Sequence, residues 1–303
     1  MKVKINPTVC LACFVHDLTN WHISCTPSFS RYWSAHPQPL SPKEKTAIKT
    51  VAPIFGQYLK KHDELWLRQL WLASHRPAIP SSQLPLFQTF SPRFSYFYHQ
   101  QFPNMRKVKL HLDHLSSSRP LSATRRFYGY SSPARVSAYL ALSHRANREA
   151  GGMLIDLAKN HQYSLILKFG DFILGKNNWP LENTFLHELS HVYQCTPEFE
   201  TLISRYASRL SLPPILKQQG LTSQDILTEL IHASLWGQTG YLSRSLYATR
   251  LTPSPASNSY LHHIQQAALS LSPIVKDYLK TPRIIDDDFV IAAVNSWQQA
   301  VAE

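Results

Sequence analysis

The chain lacks most of the features that assign a protein to a special class. Its 303 residues include only four cysteines, too few for a scaffold held together by disulfides. No apolar run approaches the ~18 residues that a membrane-spanning helix needs. The N-terminal apolar stretch, which Pro7 interrupts, is too short for a signal peptide. We therefore expect a chain without a membrane span in a reducing, cytoplasmic compartment.

Acidic residues are scarce as well. The sequence holds 19 of them against 31 lysines and arginines, which gives a net charge of +12 at pH 7. The basic residues form small clusters rather than the long run of a nucleic-acid-binding tail. The clusters are Lys43/Lys45/Lys49, Arg106/Lys107/Lys109 and Arg125/Arg126. This charge permits weak binding to nucleic acid or another polyanion without demonstrating it.

The remaining composition is that of a soluble globular protein. A hydrophobic fraction of 44% is ordinary, and a chain of this length buries a full core. The patterns along the chain favour an α+β fold in two parts. We expect a helical or irregular N-terminal region, residues 1–103, and a second domain, residues 104–303.

The N-terminal region shows two helix signals. Residues 1–40 lack periodicity and are expected to be irregular. Ser41 and Glu44 form a capping box, which predicts a helix running towards Lys60. Apolar spacing predicts a second helix over residues 63–73. Residues 76–104 contain five prolines and are expected to form a linker or a long loop.

The second part begins with alternating patterns. Residues 107–113 alternate apolar and polar side chains, which predicts a strand, and a second strand is expected at 124–130. Residues 132–159 are interpreted as helical, with a break at the two glycines. Residues 163–169 alternate again and predict a strand. Trp179, followed by proline, then begins a helix.

That helix carries the clearest motif of the sequence, NTFLHELSHVYQ at residues 183–194. It contains His-Glu-x-x-His, a pattern with a chance likelihood of roughly 2% in a chain of this composition. On a helix, His187 and His191 lie one turn apart on one face and can bind one zinc ion. Glu188 projects beside them, where it can take a proton from a water molecule. The alternative is a hydrogen-bonded His/Glu cluster in an ordinary core.

HELSH on a buried helix, preceded by an alternating strand, resembles the zincin metallopeptidases. The resemblance implies a zincin-like domain, in which a small mixed sheet lies over an active-site helix and an edge strand holds an extended peptide. It also implies Zn²⁺ as the cofactor and a peptide or protein as the substrate. One zincin branch has a glycine three residues and a third histidine six residues after the motif. Gln194 and Pro197 occupy those positions here, which excludes that branch.

A catalytic zinc site needs a third protein ligand. Among the acids after the motif, Glu198 and Glu200 suit the first turn of the next helix, and Asp225 suits a helix cap. Glu229 remains, within an almost entirely apolar helix. This arrangement resembles the gluzincins, zincins whose third ligand is a downstream glutamate. Ala233 stands where several gluzincins have an aspartate.

His232, one turn from Glu229, is a candidate catalytic residue. It is placed to donate a hydrogen bond to a developing oxyanion, to orient Glu229, or simply to be a satisfied core histidine. Tyr193 and Tyr241 are weaker candidates for the oxyanion role. Cys10 and Cys13 lack the second close pair of a structural zinc site and are interpreted as buried reduced thiols.

Three functions remain open from the sequence. The first is a zinc-dependent peptidase in which Glu188 is the general base. The second is a DNA-associated protease resembling the SprT-like group, which takes a third histidine from downstream. For that histidine, His232 is the only strong counterpart in this chain. The third is a non-catalytic zincin-like binding protein.

Overall fold

A computed structural model describes 13 segments of the chain: residues 2–19, 33–35, 37–56, 77–115, 119–129, 135–142, 150–156, 162–169, 178–218, 220–237, 239–247, 260–281 and 283–302. The chain divides into two compact units. Unit 1 comprises Met1–Ser116 and Ala134–Leu181, and unit 2 comprises Ser117–Pro133 and Glu182–Glu303. These boundaries differ from the expected division after residue 103.

The described elements are, in chain order, β1 (Lys2–Ile5), α1 (Pro7–Thr19), α2 (Pro42–Gly56), α3 (Leu84–Gln88), α4 (Ser91–Leu115), α5 (Arg119–Tyr128), β2 (Arg135–Leu142), β3 (Ala150–Asp156), β4 (Gln162–Phe169), α6 (Trp179–Gln194), α7 (Pro197–Ala207), α8 (Pro214–Gln218), α9 (Ser223–Trp236), α10 (Tyr241–Tyr247), α11 (Tyr260–Ser270), α12 (Ser272–Lys280) and α13 (Asp287–Ala302). Helices predominate beside one small sheet, so the predicted α+β class is confirmed.

The sheet belongs to unit 1 and is mixed. Its strand order is β1-β2-β4-β3. Strands β1, β2 and β4 are parallel, with Ile5 opposite Leu140 and Leu140 opposite Leu167. Strand β3 runs antiparallel to β4. Parallel strands need covered faces, and β4 accordingly buries six consecutive side chains, residues 163–168.

Strand β4 is the alternating strand that the sequence predicted at residues 163–169, and this prediction is confirmed. It lies between β2 and β3, which occupy both of its hydrogen-bonding edges. It therefore offers no free edge to an extended peptide, a role that the zincin resemblance gives to an edge strand.

Unit 1 is held by an aromatic cluster and by paired charges. Phe14 packs edge-to-face against Trp33 and Phe94, with ring centroids 5.2 and 5.6 Å apart. The predicted capping box at the start of α2 is present: Ser41 N donates to Glu44 Oε2 at 2.8 Å, and Glu44 N donates to Ser41 Oγ at 3.2 Å. Arg93 Nε donates to the same carboxylate at 2.8 Å, which links α2 to α4.

Helix α4 corrects two predictions. The expected loop at residues 76–104 holds α3 and the first half of α4, and the expected strand at 107–113 is the second half of α4. The buried positions Met105, Val108, Leu112 and Leu115 are three or four residues apart, which is helical spacing. Leu110, 58% exposed, gave the segment its apparent alternation. Helix α4 also runs without a break across the expected division after residue 103.

Three other predictions were wrong. Residues 1–40 were expected to be irregular but contain β1 and α1. The expected strand at 124–130 is part of helix α5. The expected helix over 132–159 is replaced by strands β2 and β3. Short apolar runs do not distinguish a helix from a buried strand, and here pairing with β4 decides.

Unit 2 is helical in its described residues, and helices α6 and α9 are embedded in its core. Trp236, at the end of α9, is fully buried, and its Nε1 donates to Thr124 Oγ1 at 2.7 Å. Gly240 follows close behind: a Cβ there would lie 2.7 Å from the Ala233 carbonyl oxygen, so only glycine fits. The chain after α9 therefore packs directly against the backbone of that helix.

The predicted positions of Asp225 at a helix cap and of Glu198 and Glu200 in a first turn are confirmed. Thr222 caps α9, with Thr222 Oγ1 accepting from Asp225 N at 3.1 Å and Asp225 Oδ2 accepting from Thr222 N at 2.8 Å. Glu198 and Glu200 lie in the first turn of α7. The C-terminal helices are interrupted next to Pro273, and Asp286 Oδ1 accepts from Phe289 N at the start of α13.

Cys10 and Cys13 are free and buried, as predicted. Burial raises the pKa of the Cys13 thiol to about 12, which keeps it protonated. The helix predicted at residues 63–73 lies outside the described residues. None of the described helices is long and apolar enough to cross a membrane.

Candidate metal centre

Helix α6 supplies the first two side chains of the site. It begins at Trp179 with Pro180 in its first turn, as the sequence predicted, and belongs to unit 2 from Glu182 onward. His187 and His191 lie one turn apart, with ring centroids 5.4 Å from each other. The rest of the helix is held by core contacts; for example, Ser243 Oγ donates to Asn183 Oδ1 at 2.5 Å.

Helix α9 brings the other two side chains to the same point. His232 Nε2 lies 2.9 Å from His187 Nε2 and 3.1 Å from Glu229 Oε2. Glu229 Oε1 lies 3.9 Å from His187 Nε2. One donor atom each from His187, His191, Glu229 and His232 lies within 4.8 Å of the other three. Four ligands at ~2.0–2.2 Å around one tetrahedral zinc are about 3.3–3.6 Å apart, so these donors match a single small cation.

The predicted ligands His187, His191 and Glu229 are therefore brought together, and His232 joins them. No other donor in the described residues belongs to this group. Asp225 is held in its capping box, and Glu198 and Glu200 are exposed on α7. The positions of Asp225, Glu198 and Glu200 therefore agree with the sequence argument that set these three acids aside and left Glu229 as the candidate ligand.

Burial keeps the imidazoles in the form that binds metals. Removal from water, reinforced by the neighbouring His232, lowers the pKa of His191 to about 3. Burial likewise lowers the pKa of His232 to about 3 and that of His187 well below its usual value. All three rings are then neutral at pH 7 and keep a lone pair for a cation. Three neutral imidazoles with one carboxylate are donors typical of zinc and similar divalent metals.

The four side chains differ in their access to solvent. The His232 side chain is fully buried, whereas those of His187 and Glu229 are 21% and 27% exposed. His232 therefore closes the inner side of the cluster. His187, His191 and Glu229 are all partly exposed, so a water molecule or a substrate can reach the cluster from their side.

Gln194, the last residue of α6, determines which nitrogen of His232 carries the proton. Its Nε2 donates to the carbonyl oxygen of Thr228 at 3.1 Å and to the Tyr128 hydroxyl at 3.3 Å. A carbonyl only accepts, so the Gln194 amide must turn its NH₂ towards Thr228 and its Oε1 towards His232. His232 Nδ1, 3.3 Å from that oxygen, is then the protonated nitrogen. The Nε2 lone pair is left pointing at His187 and Glu229.

This assignment bears on the predicted catalytic role of His232. A neutral imidazole that keeps its proton on Nδ1 has no proton on Nε2 to donate to an oxyanion. The geometry favours a ligand over an oxyanion donor. The sequence missed Gln194, although a signal was present: it lies seven residues after His187 and three after His191, on the same face of the helix.

The remaining candidates are not among the four donors. Glu188 is buried, 8% exposed, and is not a member of the donor group. The Tyr193 hydroxyl accepts from Arg125 Nε at 3.1 Å, and its ring stacks on Tyr128, so it is engaged elsewhere. Tyr241 is half-buried at the start of α10.

Comparison with known proteins adds no further evidence. The chain matches no protein-family model, no curated protein and no solved structure. The case for a metal centre therefore rests on the geometry and chemistry of its donors.

Proposed function

We propose that this chain is a zinc-dependent metallopeptidase whose active site is the cluster on α6 and α9. The observation that carries the proposal is the convergence of four metal-binding side chains from two helices within 4.8 Å of one another. In a cluster without a metal, His187 and His232 would share one N–H···N hydrogen bond across their 2.9 Å separation, whereas a cation would take a lone pair from each ring and from the Glu229 carboxylate.

We assign His187, His191 and His232 as the three nitrogen ligands. A catalytic site needs three protein ligands and one open position. Glu229, which is partly exposed, would be the fourth donor and the one displaced by water or a substrate. When bound, zinc supplies Lewis-acid chemistry that activates water and polarises a carbonyl group.

Glu188 is proposed as the general base. It is buried on the same helix, next to His187, and a carboxylate in such surroundings accepts a proton from the attacking water and returns it to the leaving amine. This role follows from the His-Glu-x-x-His pattern and is tested by removing the proton acceptor without changing the shape of the side chain.

The decisive experiment compares the wild-type chain with Glu188→Gln. Both proteins should contain about one zinc per chain by elemental analysis, because Glu188 is not a ligand. Cleavage of a fluorogenic peptide or an unfolded protein should fall by at least ~10²–10⁴-fold in the variant. A chain that neither retains nor takes up metal would end the proposal, as would a variant that cleaves at the wild-type rate.

One observation supports a second candidate function, that of a DNA-associated SprT-like protease. That group takes a third histidine from downstream, and His232 lies 2.9 Å from His187. The measurement that separates the two functions is peptidase activity at low salt with and without DNA. A non-catalytic zincin-like binding protein is the third possibility, and it predicts metal binding without turnover.

A further inference from the structure

The two units differ sharply in charge. Unit 1 contains 20 lysines and arginines against 8 acidic residues, and unit 2 contains 11 against 11. The whole net charge of +12 therefore belongs to unit 1, and unit 2, which carries the metal cluster, is neutral. A net positive charge confined to one unit is typical of a unit that binds a negatively charged partner.

In the described part of unit 1, the acidic side chains do not offset the positive surface. The structure describes the side chains of three of them, and each is paired with a cation. Asp17 accepts from buried Lys168 at 2.7 Å, Glu44 from Arg93 at 2.8 Å, and Asp113 from Lys109 at 2.5 Å. None of these three is exposed. The exposed charges in the described part of unit 1 are all positive: Lys2, Lys4, Lys43, Lys45, Lys49, Arg106 and Lys107.

Helix α4 combines these cations with exposed aromatic rings. Its solvent face carries Tyr96, His99, Phe102, Arg106 and Lys107, which are spaced by three or four residues except at the adjacent cationic pair. Tyr96 is 41% exposed and Phe102 is 36% exposed, which is unusual for rings of this size. Phe102 and Arg106 are one helical turn apart and therefore neighbours on the surface.

We propose that this face of α4, the basic-aromatic face, binds single-stranded nucleic acid. The cations would contact phosphates, and Tyr96 and Phe102 would stack on bases. An acidic protein would satisfy the cations without using the rings. A duplex keeps its bases stacked and inaccessible to such rings. The proposal does not depend on the metal cluster, which lies on other helices in unit 2.

The test is fluorescence anisotropy of the full-length chain with a labelled oligothymidylate or oligouridylate of about 20 nucleotides, at about 50 mM salt. Arg106→Gln with Lys107→Gln should weaken binding roughly tenfold or more, because two cations that neutralise phosphates are removed. The slope of log K against log salt should also become shallower by about 1.4, since each phosphate neutralised on a single strand accounts for ~0.7. The matched control is Lys276→Gln with Lys280→Gln, which removes two exposed cations one turn apart on α12 of unit 2.

The contribution of the two aromatic rings to binding is measured separately. Tyr96→Ala with Phe102→Ala should weaken binding about fivefold or more while leaving the salt slope unchanged, because stacking involves no phosphate. Circular dichroism checks that each variant is folded. Four results would overturn the proposal: no binding of either oligonucleotide at low salt, an equal weakening in the α12 control, no effect of the aromatic pair, or binding to phosphatidylserine vesicles without binding to the oligonucleotides.

Discussion

At the scale of single residues, the hydrogen bonds behind the four donors matter as much as the donors themselves. Gln194 is not one of the four donors, yet its amide oxygen accepts from His232 Nδ1 and so leaves the Nε2 lone pair for a cation. Outer partners of this kind fix the orientation of a metal-binding histidine. The effect of Gln194 on metal binding can be measured as a zinc affinity, without an assay of turnover.

Gln194→Leu should lower zinc affinity by about 10–100-fold, because His232 loses the side-chain acceptor of its Nδ1 proton and keeps only the Thr228 carbonyl oxygen as a partner. Gln194→Glu should retain more of the affinity, since a carboxylate also accepts from Nδ1. Competition with a chelating dye measures both. Gln298→Leu is the control: Gln298 lies on α13 of unit 2, its side chain is exposed and donates to the Arg209 carbonyl oxygen at 2.9 Å, and its replacement should leave zinc affinity unchanged.

His232 and Glu229 should differ as ligands. His232→Ala removes a fully buried donor and should weaken zinc binding more than ~100-fold. Glu229→Ala removes a partly exposed donor and should weaken binding less while still lowering activity. Asp225→Ala, on the same helix, should leave the metal in place and cost about 1 kcal/mol of stability through its capping box. A larger effect of Glu229→Ala than of His232→Ala would restore Glu229 as the main third ligand, as the sequence predicted.

At the scale of elements, the buried ion pair between α1 and β4 is the feature whose mutation should cost the most stability. Lys168 Nζ lies 2.7 Å from Asp17 Oδ1, and both side chains are almost completely buried. Burial raises the pKa of Asp17, but the Lys168 ammonium and His16 offset this and lower it overall. A carboxyl whose pKa is lowered by folding stabilises the protein above its unfolded pKa of about 3.9 and loses that effect as pH falls further.

Asp17→Asn should destabilise the protein by about 3–5 kcal/mol, because it leaves the Lys168 ammonium buried without a counter-charge. Asp17→Asn with Lys168→Met should recover much of that stability, since both charges are then removed. Urea unfolding at pH 7 measures the two free energies. If the single variant is as stable as the wild type, the pair contributes nothing and Lys168 is held by other contacts.

At the scale of the whole molecule, the metal cluster and the positive charge are assigned to different units. Unit 2 is neutral and holds the four donors, and unit 1 holds the sheet and the net charge of +12. Chemistry and polyanion binding are therefore separable by mutation. Substitutions on α4 should leave zinc content unchanged, and substitutions on α6 or α9 should leave nucleic-acid binding unchanged.

Zinc should stabilise the folded chain by mass action. At a free zinc concentration 100 times the dissociation constant, the free energy of unfolding should rise by about 2.7 kcal/mol. Thermal unfolding with added zinc and with a chelator measures this difference. His187→Ala should abolish the response, and an equal shift in that variant would show that zinc binds elsewhere in the chain.

The sequence by itself determined the features that depend on neighbouring residues. The capping box of Ser41, the place of Asp225 at a helix cap and the start of α6 at Trp179 were predicted correctly. In each case the deciding groups, a side-chain hydrogen bond or a proline in the first turn, are only a few residues apart in the chain. The His187/His191 pair on one helical face follows from the same local geometry.

Tertiary structure decided what depends on distant partners. Strands β2 and β3 have helix-compatible sequences and are extended because β4 pairs with both. Helix α4 was mistaken for a strand because only packing shows that Leu110 faces solvent. The proposed ligand role of His232 depends on Gln194, 38 residues away, whose amide oxygen accepts from the ring. Contacts across such separations leave no periodic signal in the sequence, since packing of the folded chain creates them.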